Sequence, residues 1–153
     1  MTDEKTLYSE LKPQIESVAT PLINFSMQCL RDRGDFLPHA AVLTAHGKVE
    51  LVGAHSGREL ANAAEILPLL HAGLRTLAKK RALAALAVAE SVTIMLPGQL
   101  ANQAIKVLFE HRRGLTVSLY VPYEKSPQQG LIFSPTFSML AEPEVKAFQG
   151  TER

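Results

Sequence analysis

The sequence predicts an α+β fold in which two helices cover one face of an antiparallel sheet of about five strands. Three observations carry this. Apolar residues recur at steps of three and four near the N-terminus and again over 60–81, which is helical spacing. Apolar residues alternate with polar ones over 86–96 and 105–121, which is strand spacing. The strands follow one another through short glycine-bearing loops, and such loops join antiparallel neighbours. The expected order is α-β-β-α-β-β-β, with room for a further edge strand and a short C-terminal helix. At 153 residues the chain is expected to form a single domain spanning 1–153.

The first helix rests on Leu7, Leu11, Ile15, Val18, Leu22, Phe25 and Cys29, which fall on one stripe. Pro13 and Pro21 interrupt it, but the stripe keeps its phase through both, so one kinked helix or two nearly collinear ones are expected. Gly34 fits the stop. A hairpin follows over Ala40–Ala54, around His46-Gly47, in one of two registers. A two-residue turn pairs Val42 with Leu51 and His39 with Ala54. A three-residue loop pairs Leu43 with Leu51 and His39 with His55.

Ser56-Gly57-Arg58-Glu59 has the spacing of a capping box and marks the start of the second helix, which continues through Leu60, Leu67, Leu70, Leu74 and Leu77 to about Arg81. Pro68 is expected to kink it. Leu86, Val88, Val92, Ile94 and Leu96 alternate along a strand that ends at Pro97-Gly98. Segments 105–111 and 115–121 flank Arg112-Arg113-Gly114, a three-residue loop that pairs Phe109 with Val117, Val107 with Leu119 and Ile105 with Val121. Glu110 then meets Thr116, and Lys106 meets Tyr120. Pro135 confines any strand over Leu131–Leu140 to an edge or breaks it. Pro143 to Phe148 has room for one or two helical turns. With both helices on one face, the other is expected to lie uncovered and to carry Ser91, Thr93, Met95, Lys106, Leu108, Glu110, Thr116, Ser118 and Tyr120.

Composition excludes several classes of function. A net charge of +1 gives no overall field for polyphosphate or anionic lipid, and the run Arg75, Lys79, Lys80, Arg81 reads as a solvated helix end, against nucleic acid as a partner. Cys29 is the one cysteine, so no internal disulfide or CxxC metal pair exists. The longest apolar stretch, Ala82 to Ala89, is too short for a membrane span. The start of the chain lacks the order of a signal peptide, so a cytoplasmic protein is expected.

Glu90 is the residue least at ease with its surroundings. Leu86, Val88, Val92 and Ile94 share its parity, so a regular strand aims its carboxylate among apolar side chains. A β-bulge at Glu90-Ser91, a salt bridge to a helix arginine, or a functional acid would each account for it. His39, His55 and His111 form the one histidine grouping with potential for acid–base chemistry, and only the three-residue hairpin register brings His39 and His55 together. Their spacing matches no zinc motif, so neither a metal nor a cofactor is expected. Glu110 and His111 are adjacent, and adjacent strand residues point to opposite faces. No catalytic residue is assigned. Glu90, His39, His55, His111, Glu110 and Tyr120 are the candidate binding residues.

The segments Phe36-Leu37-Pro38-His39-Ala40-Ala41-Val42-Leu43, Ala87–Val92 and Ile105–His111 with Tyr120-Val121-Pro122-Tyr123 resemble a group of small bacterial proteins that has no assigned activity. The element order is similar to the roadblock, longin and profilin-like folds, whose members act mainly as dimeric adaptors and regulators. The expectation leans away from an enzyme. It favours a non-enzymatic interaction module, a homodimer formed through the open sheet face or an edge. One alternative is a small metabolite-binding protein or enzyme built around Glu90 and the histidines. Another is a regulatory or immunity-type partner of a second bacterial protein.

Overall fold

The computed structural model describes residues 3–54, 62–95, 98 and 102–148. Helix α1 spans Glu4–Arg33. The Asp3 side chain caps its N-terminus by accepting from the Thr6 N–H at 2.8 Å, and Gly34 closes it with φ +79°. The helix runs unbroken through Pro13 and Pro21, which settles the two-helix alternative in favour of one. Six of the seven stripe residues are buried, but Phe25 is 47% exposed and Ser26 takes the inward position. Ser26 tolerates burial because its hydroxyl bonds the Leu22 carbonyl at 2.9 Å.

Strands β1 (His39–Thr44) and β2 (Val49–Val52) form the first hairpin, in neither expected register. Ala40 pairs with Val52, Val42 with Glu50 and Leu43 with Val49. The loop is Ala45-His46-Gly47, closed by the Gly47 N–H on the Thr44 carbonyl at 2.9 Å, with Gly47 at φ +89°. The reason for the discrepancy is physical. Ala40 and Val42 pack in one core and Ala41 and Leu43 in another, so no polar face existed to fix the phase.

Helix α2 spans Ala63–Lys80, with the Asn62 side chain accepting from the Glu65 N–H at 3.0 Å as its cap. The expected capping box at 56–59 lies outside the described residues. Beyond α2, Arg81 holds Glu50 of β2 through two bonds of 2.7 and 2.9 Å.

Strands β3 (Leu83–Ile94), β4 (Asn102–His111) and β5 (Thr116–Ser126) form the centre of the sheet. Strands β6 (Gly130–Phe133) and β7 (Phe137–Leu140) share the outer edge of β5, split around Pro135. The order is β2-β1-β3-β4-β5-β6, antiparallel throughout. The β4–β5 hairpin has the expected pairs, closed by Gly114 at φ +95°. Leu96 and Pro97, where β3 was expected to end, lie outside the described residues. The short C-terminal helix is absent: residues 143–148 form an irregular segment laid against the sheet.

The α+β class, the antiparallel sheet and the helix order are as expected, but the helices do not share a face. Helix α1 packs on Ala41, Leu43, Ala85, Ala87, Ala89, Ile105, Val107 and Phe109. Leu70 and Leu74 of α2 pack on Ala40, Val42, Leu86 and Val88, the opposite parity. Strands buried on both faces carry apolar residues at every position, and the unbroken run Ala82–Ala89 is that signature. The face expected to lie open is therefore largely covered: Leu108, Glu110, Thr116 and Ser118 are buried. Ser91 belongs to the α1 face, where its hydroxyl meets the Tyr123 hydroxyl at 3.0 Å. Among the described residues no helix is long and apolar enough to cross a membrane.

Candidate functional site

Glu90 stands in an unbroken register that pairs it with Lys106, so there is no bulge at Glu90-Ser91. Side chains directly opposite each other share a face, and the pairing continues from Lys106 to Tyr120 and from Tyr120 to Phe137. A single row, Glu90–Lys106–Tyr120–Phe137, thus crosses β3, β4, β5 and β7 on the α2 face. The Tyr120 and Phe137 rings stack at 5.2 Å. Lys106 does not bond Glu90; its ammonium lies 2.7 Å from Glu144.

The charges in this row perturb one another. Burial pushes the Glu90 carboxyl above its ordinary range; Lys106 opposes that rise and Glu144 adds to it. Burial disfavours the Lys106 ammonium, but the hydrogen bond to Glu144 and the fields of Glu144 and Glu90 outweigh it and raise its pKa. His71 of α2 faces the same cluster. Burial lowers its pKa, against the pull of Glu144 and Glu110, so it is held neutral.

Glu110 lies two rungs away on this face, beyond Leu108, and is 2% exposed. It accepts three successive backbone N–H groups, from Glu144 at 2.9 Å, Val145 at 2.7 Å and Lys146 at 2.9 Å. Lys146 adopts φ +61°, a left-handed conformation that redirects the chain just after the third of these amides. Arg75 of α2 donates to the Val145 carbonyl at 3.1 Å. Glu110 is thus an anchor for the segment after β7.

The histidines do not join this cluster. His39 sits on the α1 face between the rings of Phe25 and Phe36, at 4.8 and 5.7 Å, with Nδ1 donating to the Leu37 carbonyl at 2.9 Å. His111 is buried on the same face. Its Nε2–H donates to Gln14 at 2.9 Å, and its Nδ1 accepts the Arg113 N–H at 3.1 Å. That fixes one neutral tautomer, and burial, aided by Arg113 and Arg112, lowers the pKa to about 4. His39 pairs with Ala89 and His111 with Ala85, on either side of β3. Strand geometry then separates the two by about 16 Å. His55 lies outside the described residues. Among the described residues no group of three His, Cys, Asp or Glu is placed to hold a metal.

Of the six candidate residues, the structure brings Glu90, Glu110 and Tyr120 onto one face and leaves His39 and His111 on the other. Sequence reasoning missed Lys106, His71 and Glu144. The Lys106 partnership was half visible, because its pairing with Tyr120 was predicted and only the register to β3 was wanting. His71 and Glu144 carry no motif.

The row ends at β7, whose outer edge is unpaired among the described residues. The Ala141 N–H bonds the Thr116 carbonyl at 3.0 Å, so by alternation Met139 and Phe137 bond inward while the amides of Ser138 and Leu140 point out from the sheet. Met139 is 51% and Leu140 47% exposed. A groove of about 240 Å³ runs beside this edge, lined by Glu4, Lys5, Tyr8, Val117, Ser138, Met139 and Leu140. Comparisons with protein-family models, curated proteins and solved structures find no match.

Proposed function

We propose that this protein is a non-enzymatic interaction module that self-associates through the β7 edge of its sheet. The observation that carries the reading is the combination at β7 of outward amides with exposed Met139 and Leu140. An unpaired edge with apolar flanks is a template for another strand. A second copy suits it because a two-fold contact sets each patch against itself, and this groove holds both Glu4 and Lys5, opposite charges that can cross-pair. Cytosolic residence fits the lone buried thiol of Cys29.

Light scattering coupled to gel filtration tests this. The chain should elute at twice its 16.7 kDa mass. Leu140→Pro should elute as a single chain, because proline deletes an outward donor without breaking the ladder to β5. A wild-type chain of single mass at every concentration loaded contradicts the reading.

A second reading, a small polar ligand held at Glu90, is favoured by that half-buried carboxylate, whose pKa burial raises and whose lysine neighbour is committed to Glu144.

A further inference from the structure

We propose that the groove beside β7 is half of a site that a second copy completes: the two β7 strands pair antiparallel with Met139 opposite Met139, and each copy's Leu140 fills the other's groove. The pairing rests on self-association at the β7 edge. It fixes what that reading leaves open, the register of the strands and the occupant of the groove.

Backbone alternation limits the registers. Ser138 and Leu140 turn their backbone polar groups out from the sheet, while Phe137 and Met139 turn theirs to β5. Two strands related by a two-fold axis must set outward residues against outward residues, so the axis passes through a residue and not between two. Centring on Met139 uses both outward residues of each β7: Ser138 exchanges bonds with the second copy's Leu140, and Leu140 with its Ser138. Centring on Phe137 or Ser138 calls instead on Thr136, outside β7 and next to Pro135. Centring on Leu140 calls on Glu142, beyond the other end. The side chains select the same register. Ser138 and Leu140 stand on the α1 face, paired with Leu119 and Val117 of β5. The second copy's Leu140 then lies directly across from Ser138, over the Tyr8–Ser138 bond and beside the groove that Tyr8, Val117 and Leu140 line. Centring on Ser138 would give that place to a hydroxyl and leave both leucines without apolar cover. The joined sheet carries both α1 helices on one face, where each first turn offers Glu4 and Lys5 to its counterpart as opposite charges. Both β7 edges are used, so association through them closes at two copies.

Cysteine cross-linking of the full chain tests the register. Met139→Cys, Ser138→Cys and Leu140→Cys are oxidised mildly at one concentration and run on a denaturing, non-reducing gel, with wild type, whose lone thiol Cys29 is buried, as the control. Facing residues at a non-hydrogen-bonded position have Cα atoms about 4.5 Å apart, within disulfide reach. Met139→Cys should therefore link to twice the chain mass. In the same register positions 138 and 140 lie out of line with themselves, beyond the limit of about 7 Å, and should not link. Leu140→Ala should raise the dimer Kd about tenfold or more, because it empties both grooves. A chain that light scattering finds at single mass overturns self-association and the pairing with it. A dimer that links best through position 138 or 140, equally through all three, or through none, overturns the register and the groove's occupant while dimerisation itself stands.

Discussion

Two residues carry opposite kinds of strain, and each makes a prediction. Lys146 is the one non-glycine residue at positive φ among those described, and its side chain is exposed, so any substitution there acts through the backbone. Lys146→Gly should leave stability within about 1 kcal/mol of wild type, relieved strain offsetting unfolded-state entropy. Lys146→Val should lose about 1–2 kcal/mol, because a β-branched residue resists that conformation. Urea midpoints measure both. His111 makes a pH prediction. The folded chain keeps it neutral down to about pH 4, while the unfolded chain takes up a proton near its ordinary 6.5. The unfolded state thus binds more protons across that window, and stability falls as pH drops from about 6.5 through 4. His71 is shifted the same way and adds to the fall; Glu90, shifted upward, works in the opposite sense. Urea midpoints at pH 7 and 4.5 should show a smaller drop for His111→Gln than for wild type.

Among the elements, one substitution has two outcomes depending on where it falls. Gly114 closes the β4–β5 hairpin at φ +95°, and nothing lies within 4 Å of an added methyl, so Gly114→Ala meets only backbone strain. It should lose about 1–2 kcal/mol. Gly73 lies in the interior of α2, also with nothing near, and Gly73→Ala should gain about 0.5–1 kcal/mol. Thermal unfolding of the pair checks the signs. These elements also differ in how far they could be read from sequence. The β4–β5 hairpin was legible because its loop closes on a glycine and its apolar pairs match across it. The first hairpin was not, because β1 is apolar on both faces and a shift of one residue changes nothing visible. Glu90 could be seen to point the same way as Leu86 and Val88, but Lys106 lies on another strand whose register no local pattern set. The role of Glu110 was hidden entirely, because its partners are backbone amides, which every residue but proline offers alike.

For the molecule as a whole, β3 binds the two cores into one unit. Ala85, Ala87 and Ala89 face α1, and Leu86 and Val88 face α2, so neither side can loosen without the strand between them. Phe109→Ala in the α1 core should cost about 3–5 kcal/mol and Leu86→Ala in the α2 core about 2–5 kcal/mol. Each should shift one common transition, with far-ultraviolet circular dichroism and tyrosine emission coinciding. Separate transitions would mean that the two layers unfold independently. The tyrosines make that second probe unusually local. The chain has no tryptophan and three tyrosines. Tyr8 reaches the Ser138 hydroxyl at 3.2 Å on one side of β7, and Tyr120 stacks on Phe137 on the other. Two of the three intrinsic fluorophores thus grip the same four-residue strand from opposite sides. Ultraviolet emission, with no dye attached, should report whenever something comes to rest along it.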